Sequence, residues 1–439
     1  MYYISHAAGF WQAPAPVPAR HRRRRRTVHR LAHNEPVNDQ LSALQGFHAL
    51  RTDEGRALLD EVRGTAPADE LAVATRLRRT HPAGLVSAAL GQARLRQRAE
   101  AKFGAGDARR MFFTPNGVEQ STRASVAAYR AERMRALGVT SVADLCCGIG
   151  GDALALARAG IRVLAVDRDP LTAAVARANA GVLGLGDLIE VREADVTEVD
   201  TAGYDAVFAD PARRGGRGRV FDPEAYSPPL SWAVAAALAA PRAALKIAPG
   251  IPHEAVPAEA EAEWISDGGD VKEAVLWFGT GAPGGVRATL LPGPRTLRGR
   301  GLPYPAVRPP GRYLYEPDGA VIRAHLVAEV AEELDGGLLD ETIAYVTADA
   351  LRPTPYATAY EITDRMPFNV KKLKALLRER GVGNLTVKKR GSAVEPEELR
   401  RKVKPQGPHS ATVFMTRVAG APTMLIGHPA TDRPSGTTV

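Results

Sequence analysis

One segment of the 439-residue chain, Val142-Ala-Asp-Leu-Cys-Cys-Gly-Ile-Gly-Gly-Asp152, carries the densest chemical signal. It reads as a strand running into a glycine-bearing turn and then a helix. Gly148, Gly150 and Ala153 satisfy the Gly-x-Gly-x-x-Ala dinucleotide fingerprint, and Asp167 follows at the distance of a ribose-holding acid. Asp144, four residues before Gly148, argues for another ligand. A carboxylate there repels an anionic pyrophosphate and attracts an ammonium group. S-adenosylmethionine carries an ammonium and a sulfonium, so it is the expected cofactor, with NAD as the minor alternative.

Three more acids fall at strand ends. Asp167 closes Val163-Leu-Ala-Val-Asp167, where it suits two ribose hydroxyls. Asp195 follows the next strand in Glu193-Ala-Asp195-Val and suits the adenine amine. Asp210 ends the fourth, Val207-Phe-Ala-Asp210-Pro211. A single strand-end Asp is most often a helix N-cap. Four in register with a glycine turn line the edge at which open α/β sheets bind ligands. Cys146, Gly148, Gly150 and Asp152 complete the loop's candidate cofactor residues. Cys146 and Cys147, the only cysteines, read as small apolar groups beside the cofactor, not as nucleophiles. Neither they nor the ten histidines have the spacing of a metal site.

The elements that must position these residues alternate. The expected strands are Val142 to Cys146, Arg162 to Val166, Leu188 to Arg192, Ala206 to Ala209 and Ala243 to Ile247. Helices are expected at Ala153 to Ala159 and Leu171 to Leu183. That rhythm implies a parallel sheet covered on both faces, closed by an antiparallel pair at Trp264-Ile265 and Ala274 to Phe278. Before it, 38–140 reads as helical, with an amphipathic stretch from Val118 to Leu137. After it, Gly279 to Gly311 reads as a long hairpin loop plus a linker. The expected division is 1–37 a disordered Arg-rich tail, 38–140 helical, 141–285 the α/β domain, 286–311 a linker, 312–430 a small α+β domain with helices at Ala320 to Leu334 and Val370 to Arg380, and 431–439 a tail.

No apolar run reaches the roughly 18 to 20 residues of a membrane span, and the N-terminus lacks the order of a secretory signal. Cytoplasmic location is expected. Net charge is +9, placed unevenly. Residues 1–30 carry +7 in arginine, which either extends a real tail or lies upstream of the true start. Residues 365–405 carry +9, so the remainder is acidic by seven charges. Seven of the ten lysines fall between Lys371 and Lys404, which points to a polyanion as partner. Lys371 on a helix, and Lys388, Lys389 and Arg390 at a strand end, are the expected phosphate contacts.

The glycine loop followed by Val166-Asp-Arg-Asp-Pro170 resembles class I methyltransferases, in particular the trimethylguanosine synthase-like branch. Phe112-Phe-Thr114-Pro, Glu119-Gln120, Asp210-Pro211-Ala-Arg-Arg214, Lys272-Glu-Ala-Val-Leu-Trp277-Phe, Tyr315-Glu-Pro-Asp318-Gly-Ala-Val-Ile-Arg323 and Leu385-Thr-Val-Lys388-Lys-Arg-Gly391 are similar to bacterial methyltransferases with a C-terminal THUMP-like domain. The resemblance spans roughly residues 40 to 430. It implies a Rossmann-like class I methyltransferase domain with an N-terminal helical region and a C-terminal α+β THUMP-like domain. THUMP domains in general are linked to RNA binding, which with the basic C-terminal surface makes RNA the expected substrate. The resemblance also implies Phe113, Thr114 and Gln120 closing over the cofactor.

Amine methyltransferases of this fold follow the fourth strand with Asn, Asp or Ser, then Pro-Pro and an aromatic. Asp210 and Pro211 keep the first half and are the expected catalytic pair. Ala212, Arg213 and Arg214 replace the rest, so base stacking falls to arginine planes or gives way to a phosphate clamp. Arg213 and Arg214 open a basic Arg/Gly loop. A non-catalytic cofactor-sensing RNA-binding protein, and a methyltransferase acting on protein or a small molecule, remain the alternatives.

Overall fold

The computed structural model describes residues 35–212 and 223–430, with side chains from residue 41, and between these the backbone of two short strands. Nearly all of the expected N-terminal tail, the segment 431–439, and the side chains of Arg213 and Arg214 lie outside the described residues.

Six helices come first: α1 (Glu35–Leu50), α2 (Asp53–Glu61), α3 (Glu70–Leu77), α4 (Ala83–Arg110), α5 (Pro115–Gln120) and α6 (Ala124–Ala136). The first begins at Glu35, inside the stretch read as tail. Thr52 caps α2 by accepting from Gly55 N–H, and Thr114 caps α5 by accepting from Gly117 N–H. The expected single stretch from Val118 to Leu137 is two helices. Ser121 and Arg123 turn extended between them, which re-aims α6 across the sheet.

The α/β part contains β1 (Ser141–Leu145), α7 (Gly151–Arg158), β2 (Arg162–Asp167), α8 (Pro170–Val182), β3 (Ile189–Glu193), β4 (Ala206–Ala209), the short pair β5 (Arg214–Gly215) and β6 (Gly218–Arg219), α9 (Leu230–Ala239), β7 (Arg242–Ile247), β8 (Glu261–Asp267), β9 (Asp270–Phe278), β10 (Val286–Leu291) and β11 (Arg295–Arg298). Nine strands form one sheet in the order β11-β10-β8-β9-β7-β4-β1-β2-β3. β1 pairs in parallel with both β2 and β4, so strand order reverses at β1 and opens a crevice at its carboxyl end. Residues 286–298 are not linker. β10 runs parallel to β8 and β11 antiparallel to β10, completing the sheet's edge. Flanking glycines and prolines hide these strands in the sequence.

Strand alternation sorts the two faces. Val142 packs with α6, α7 and α8, whereas Ala143 and Leu145 pack with α9. On the α6 side lies a buried polar layer. Tyr129 donates to Glu263 at 2.6 Å, and Arg133 pairs with Glu263 at 2.7 Å and Glu261 at 2.5 Å. Arg133 also lies 4.1 Å from the Trp277 ring centre, and Trp277 Nε1 donates to Glu263 at 2.8 Å. These groups satisfy one another, which a buried polar network requires.

The last part contains β12 (Tyr313–Pro317), α10 (Gly319–Arg323), α11 (Val327–Glu333), β13 (Gly337–Asp340), β14 (Ile343–Ala348), β15 (Ala357–Pro367), α12 (Val370–Glu379), β16 (Val382–Lys389), α13 (Pro396–Val403), β17 (His409–Val418) and β18 (Ala421–Pro429). The expected helix from Ala320 to Leu334 is two helices, parted at His325, whose φ is 57°. The seven strands form a second sheet, ordered β13-β14-β12-β15-β18-β17-β16. Tyr315, Ala320, Val321, Val330 and Leu334 share one core with Leu245 and Trp264 of the first sheet. A separate core beneath α12 and α13 gathers Leu373, Leu377, Leu399, Val413 and Met424. No described helix is long and apolar enough to cross a membrane.

Candidate cofactor and acceptor site

The carboxyl ends of β1, β2, β4 and β7 open into a cavity of about 610 Å³. Thr114, Gln120, Asp144, Cys146, Gly148, Asp152, Asp167, Asp210 and Pro211 all line it, from four separate stretches of the chain. Gly148 (φ 58°) makes the turn that follows β1. Gly150 (φ 89°) lies behind the lining, where its α-carbon side approaches Ala176 of α8. α5 reaches the rim because Gly117 has no side chain: a Cβ there would stand 2.5 Å from Ile149.

Asp144 is wholly buried at the floor, and neither carboxylate oxygen has a hydrogen-bond partner. Burial, then the carboxylates of Asp152 and Asp210, raise its pKa well above the usual aspartate range. A buried acid left without a partner is costly. An ammonium group entering the cavity would relieve that cost, and the fit is to a cationic ligand. Asp167 accepts from Gly148 N–H at 3.0 Å and Asp169 N–H at 2.9 Å, which holds its remaining lone pairs at the cavity. Burial raises its pKa as well.

Asp152 has a second duty. It pairs with Arg130, which also pairs with Glu273, and accepts from Thr122 Oγ1 at 3.0 Å. Arg130 lies 4.7 Å from the Phe208 ring centre. Asp210 Oδ2 accepts from Lys246 Nζ at 2.6 Å, and Lys246 also donates to Thr122 at 2.9 Å. Burial works against the Lys246 ammonium, but Asp210, Glu273 and Asp152 outweigh it and raise its pKa. The four carboxylates Asp144, Asp152, Asp210 and Glu273 thus cluster around the cations Arg130 and Lys246, and Arg168 also lines the cavity. Cys146 (φ 68°) lines the cavity, and burial, followed by Asp167 and Asp210, keeps its thiol protonated.

Two expectations fall outside the cavity. Asp195 is exposed and caps a short 3₁₀ turn by accepting from Thr197 N–H at 2.9 Å, so it stands clear of the lining. Phe113 does not close over the cofactor. It is buried in the core, 5.4 Å from the Phe103 ring, and Gln92 holds its backbone N–H at 2.8 Å. Elsewhere, Lys388 pairs with Glu316, Lys389 with Glu395 at 2.5 Å, and Arg390 lies 3.7 Å from Glu316. Those three expected phosphate contacts are already engaged within the fold. Lys371 is exposed on α12.

Sequence reasoning missed Lys246, Arg130 and Thr122. Lys246 alone left a trace, as the one charge inside Ala243-Ala-Leu-Lys-Ile247.

The chain matches the model of a methyltransferase domain over residues 142–212, a THUMP domain-like model over 357–429, and a domain of unknown function over 43–99. Two proteins of Mycobacterium tuberculosis, from strains CDC 1551 / Oshkosh and ATCC 25618 / H37Rv, are each 33% identical over 315 residues. The match covers 70% of this chain and 84% of each relative, and both are named as uncharacterized S-adenosylmethionine-dependent methyltransferases. A crystal structure of a presumed methyltransferase from Porphyromonas gingivalis W83 shares the fold, with a TM-score of 0.69 at 21% identity over 90% of this chain and 99% of that one. With that sequence kinship over most of both relatives, the chain belongs to the S-adenosylmethionine-dependent methyltransferases.

Proposed function

We propose that this methyltransferase modifies RNA in the cytoplasm, on the trimethylguanosine synthase-like branch of the fold, with residues 312–430 holding the substrate. One observation carries the reading. Lys371, Lys372, Lys374 and Arg378 are exposed on α12 and have no ion pair among the described residues, while Leu373 and Leu377 turn inward. Uncompensated cations on one helix suit phosphate oxygens, contacts that position an RNA without reading its sequence. The THUMP domain-like match includes this helix.

Changing Lys371, Lys372, Lys374 and Arg378 together to Ala is expected to weaken RNA binding at least about tenfold at low salt. The log–log salt slope should fall by about 3, as four lost phosphate contacts require. Ala at Lys388, Lys389 and Arg390 should have a smaller effect, because Glu316 and Glu395 already neutralise them. Equal effects in the two sets, read by filter binding across a salt series, would remove α12 as the contact.

S-adenosylmethionine, when bound, supplies a methyl group already activated on sulfur, so the protein's work is chiefly positioning. In this reading Asp144 and Asp167 hold the cofactor, and Asp210, fixed by Lys246, orients the acceptor with the Pro211 backbone. Asp210→Asn should lower methyl transfer about hundredfold while S-adenosylhomocysteine binds within about twofold of wild type. The direct test is labelled methyl transfer onto total RNA, protein and metabolite fractions. Label confined to protein or metabolites would overturn the RNA reading.

A further inference from the structure

The acceptor end of the cavity holds a cation and a carboxylate side by side, each with unused capacity. Lys246 Nζ donates to Asp210 and Thr122, at 2.6 and 2.9 Å, which leaves its third N–H uncommitted among the described residues. Asp210 Oδ1 is likewise without a hydrogen-bond partner among the described residues, since Oδ2 is the oxygen that meets Lys246. Both residues line the cavity; the side chains are 7% and 25% exposed.

The charge of this pair bears on which nitrogen can be methylated. An exocyclic amine of a base becomes positive as it takes a methyl group, and an ammonium beside it opposes that change. A proton donated to the neighbouring ring nitrogen also drains the amine's lone pair. A lactam ring nitrogen behaves in the opposite way. It becomes nucleophilic only as its proton leaves and negative charge spreads onto the adjacent carbonyl oxygen, which an ammonium stabilises. The aromatic that amine methyltransferases use for stacking is also missing, with Arg213 in its place and Ala212 in place of the second proline.

Resting on the RNA reading, we infer that the acceptor is a lactam base, guanine or uracil, methylated at its ring N–H. Lys246 donates to the carbonyl oxygen, and Asp210 Oδ1 takes the N–H proton. The nitrogen–methyl bond forms as the cofactor's sulfur–methyl bond breaks, with that electron pair staying on sulfur. The products are the N-methyl base, S-adenosylhomocysteine and a protonated Asp210. Lys246 is thereby a specificity-determining residue as well as the anchor of Asp210.

The test labels total RNA with the wild-type protein, digests it to nucleosides and identifies the methylated atom by mass spectrometry against standards. Methyl on a ring nitrogen of guanine or uracil is the expected result. Methyl on an exocyclic amine or a ribose oxygen overturns the lactam assignment and leaves the RNA reading standing. Absence of label in RNA overturns both. Lys246→Met should lower kcat at least about hundredfold with KM and S-adenosylhomocysteine affinity little changed, and Lys246→Arg should restore at least about tenfold of it. A Met variant as active as wild type, or an Arg variant that rescues nothing while binding S-adenosylhomocysteine normally, would overturn the role of the ammonium. Should the Met variant fail to fold, the Arg variant and the methylated atom decide.

Discussion

Asp144→Asn should weaken S-adenosylmethionine binding by two to three orders of magnitude and, in the same protein, raise the thermal stability of the cofactor-free form. The first effect follows from charge. A unit pair about 4 Å apart at an effective dielectric near 20 is worth about 4 kcal/mol, and each 1.4 kcal/mol is about tenfold in affinity. The second follows from the direction of the pKa. Asp144 is wholly buried with both oxygens unpartnered, and its pKa is raised in the fold. Its ionised form is therefore a penalty to the folded state, full above the raised pKa and relieved as pH falls through it toward the ordinary aspartate value. Asparagine keeps the shape and removes the penalty. Since the ammonium needs the ionised form, cofactor binding releases a proton and strengthens as pH rises through the raised pKa. Calorimetric titration in buffers of unequal ionisation enthalpy reads that proton, and the Asn variant should not release it. Unchanged affinity in the variant would place the cofactor's ammonium elsewhere.

Arg130→Met should cost about 3–5 kcal/mol of stability, the usual penalty for removing one partner from a buried ionic cluster. The Arg130 side chain is 2% exposed and pairs with Asp152 and Glu273, the latter also 2% exposed. Without it, both acids and the floor acid Asp144 face one another with Lys246 as the remaining cation. Glu273→Gln in the same background should recover part of the loss, so a double-mutant cycle measures the coupling directly. The chain has more than one core, so the change belongs in hydrogen-exchange protection of β9 and α6, not in a single global transition. A loss under about 1 kcal/mol would mean that water reaches this layer.

How much of this was legible beforehand follows from the range of each interaction. The alternation of short apolar strands with helices, the glycine turn and the acids at the ends of β1, β2 and β4 are written in adjacent residues. Periodicity and turn chemistry act over a few positions, so the α/β fold, the glycine loop and the place of Asp144, Asp167 and Asp210 at the sheet's edge could be read directly. Asp195 shows the limit of that logic: a role as a cap, which the structure displays, and a ligand role leave the same trace in sequence.

The partners were not legible. Lys246 meets Asp210 across 36 positions, Arg130 meets Glu273 across 143, and Lys388 meets Glu316 across 72. A charge run at Lys388 to Arg390 looked available for phosphate until β16 was set near Glu316 and Glu395. β10 and β11 were hidden for the same reason, since their glycine- and proline-flanked segments become strands only as β10 pairs with β8 and β11 with β10. The sequence alone determined which ligand chemistry the strand ends can offer. The tertiary structure decided which charges remain free to offer it, because a charge is available to a ligand only if the fold has not already paired it.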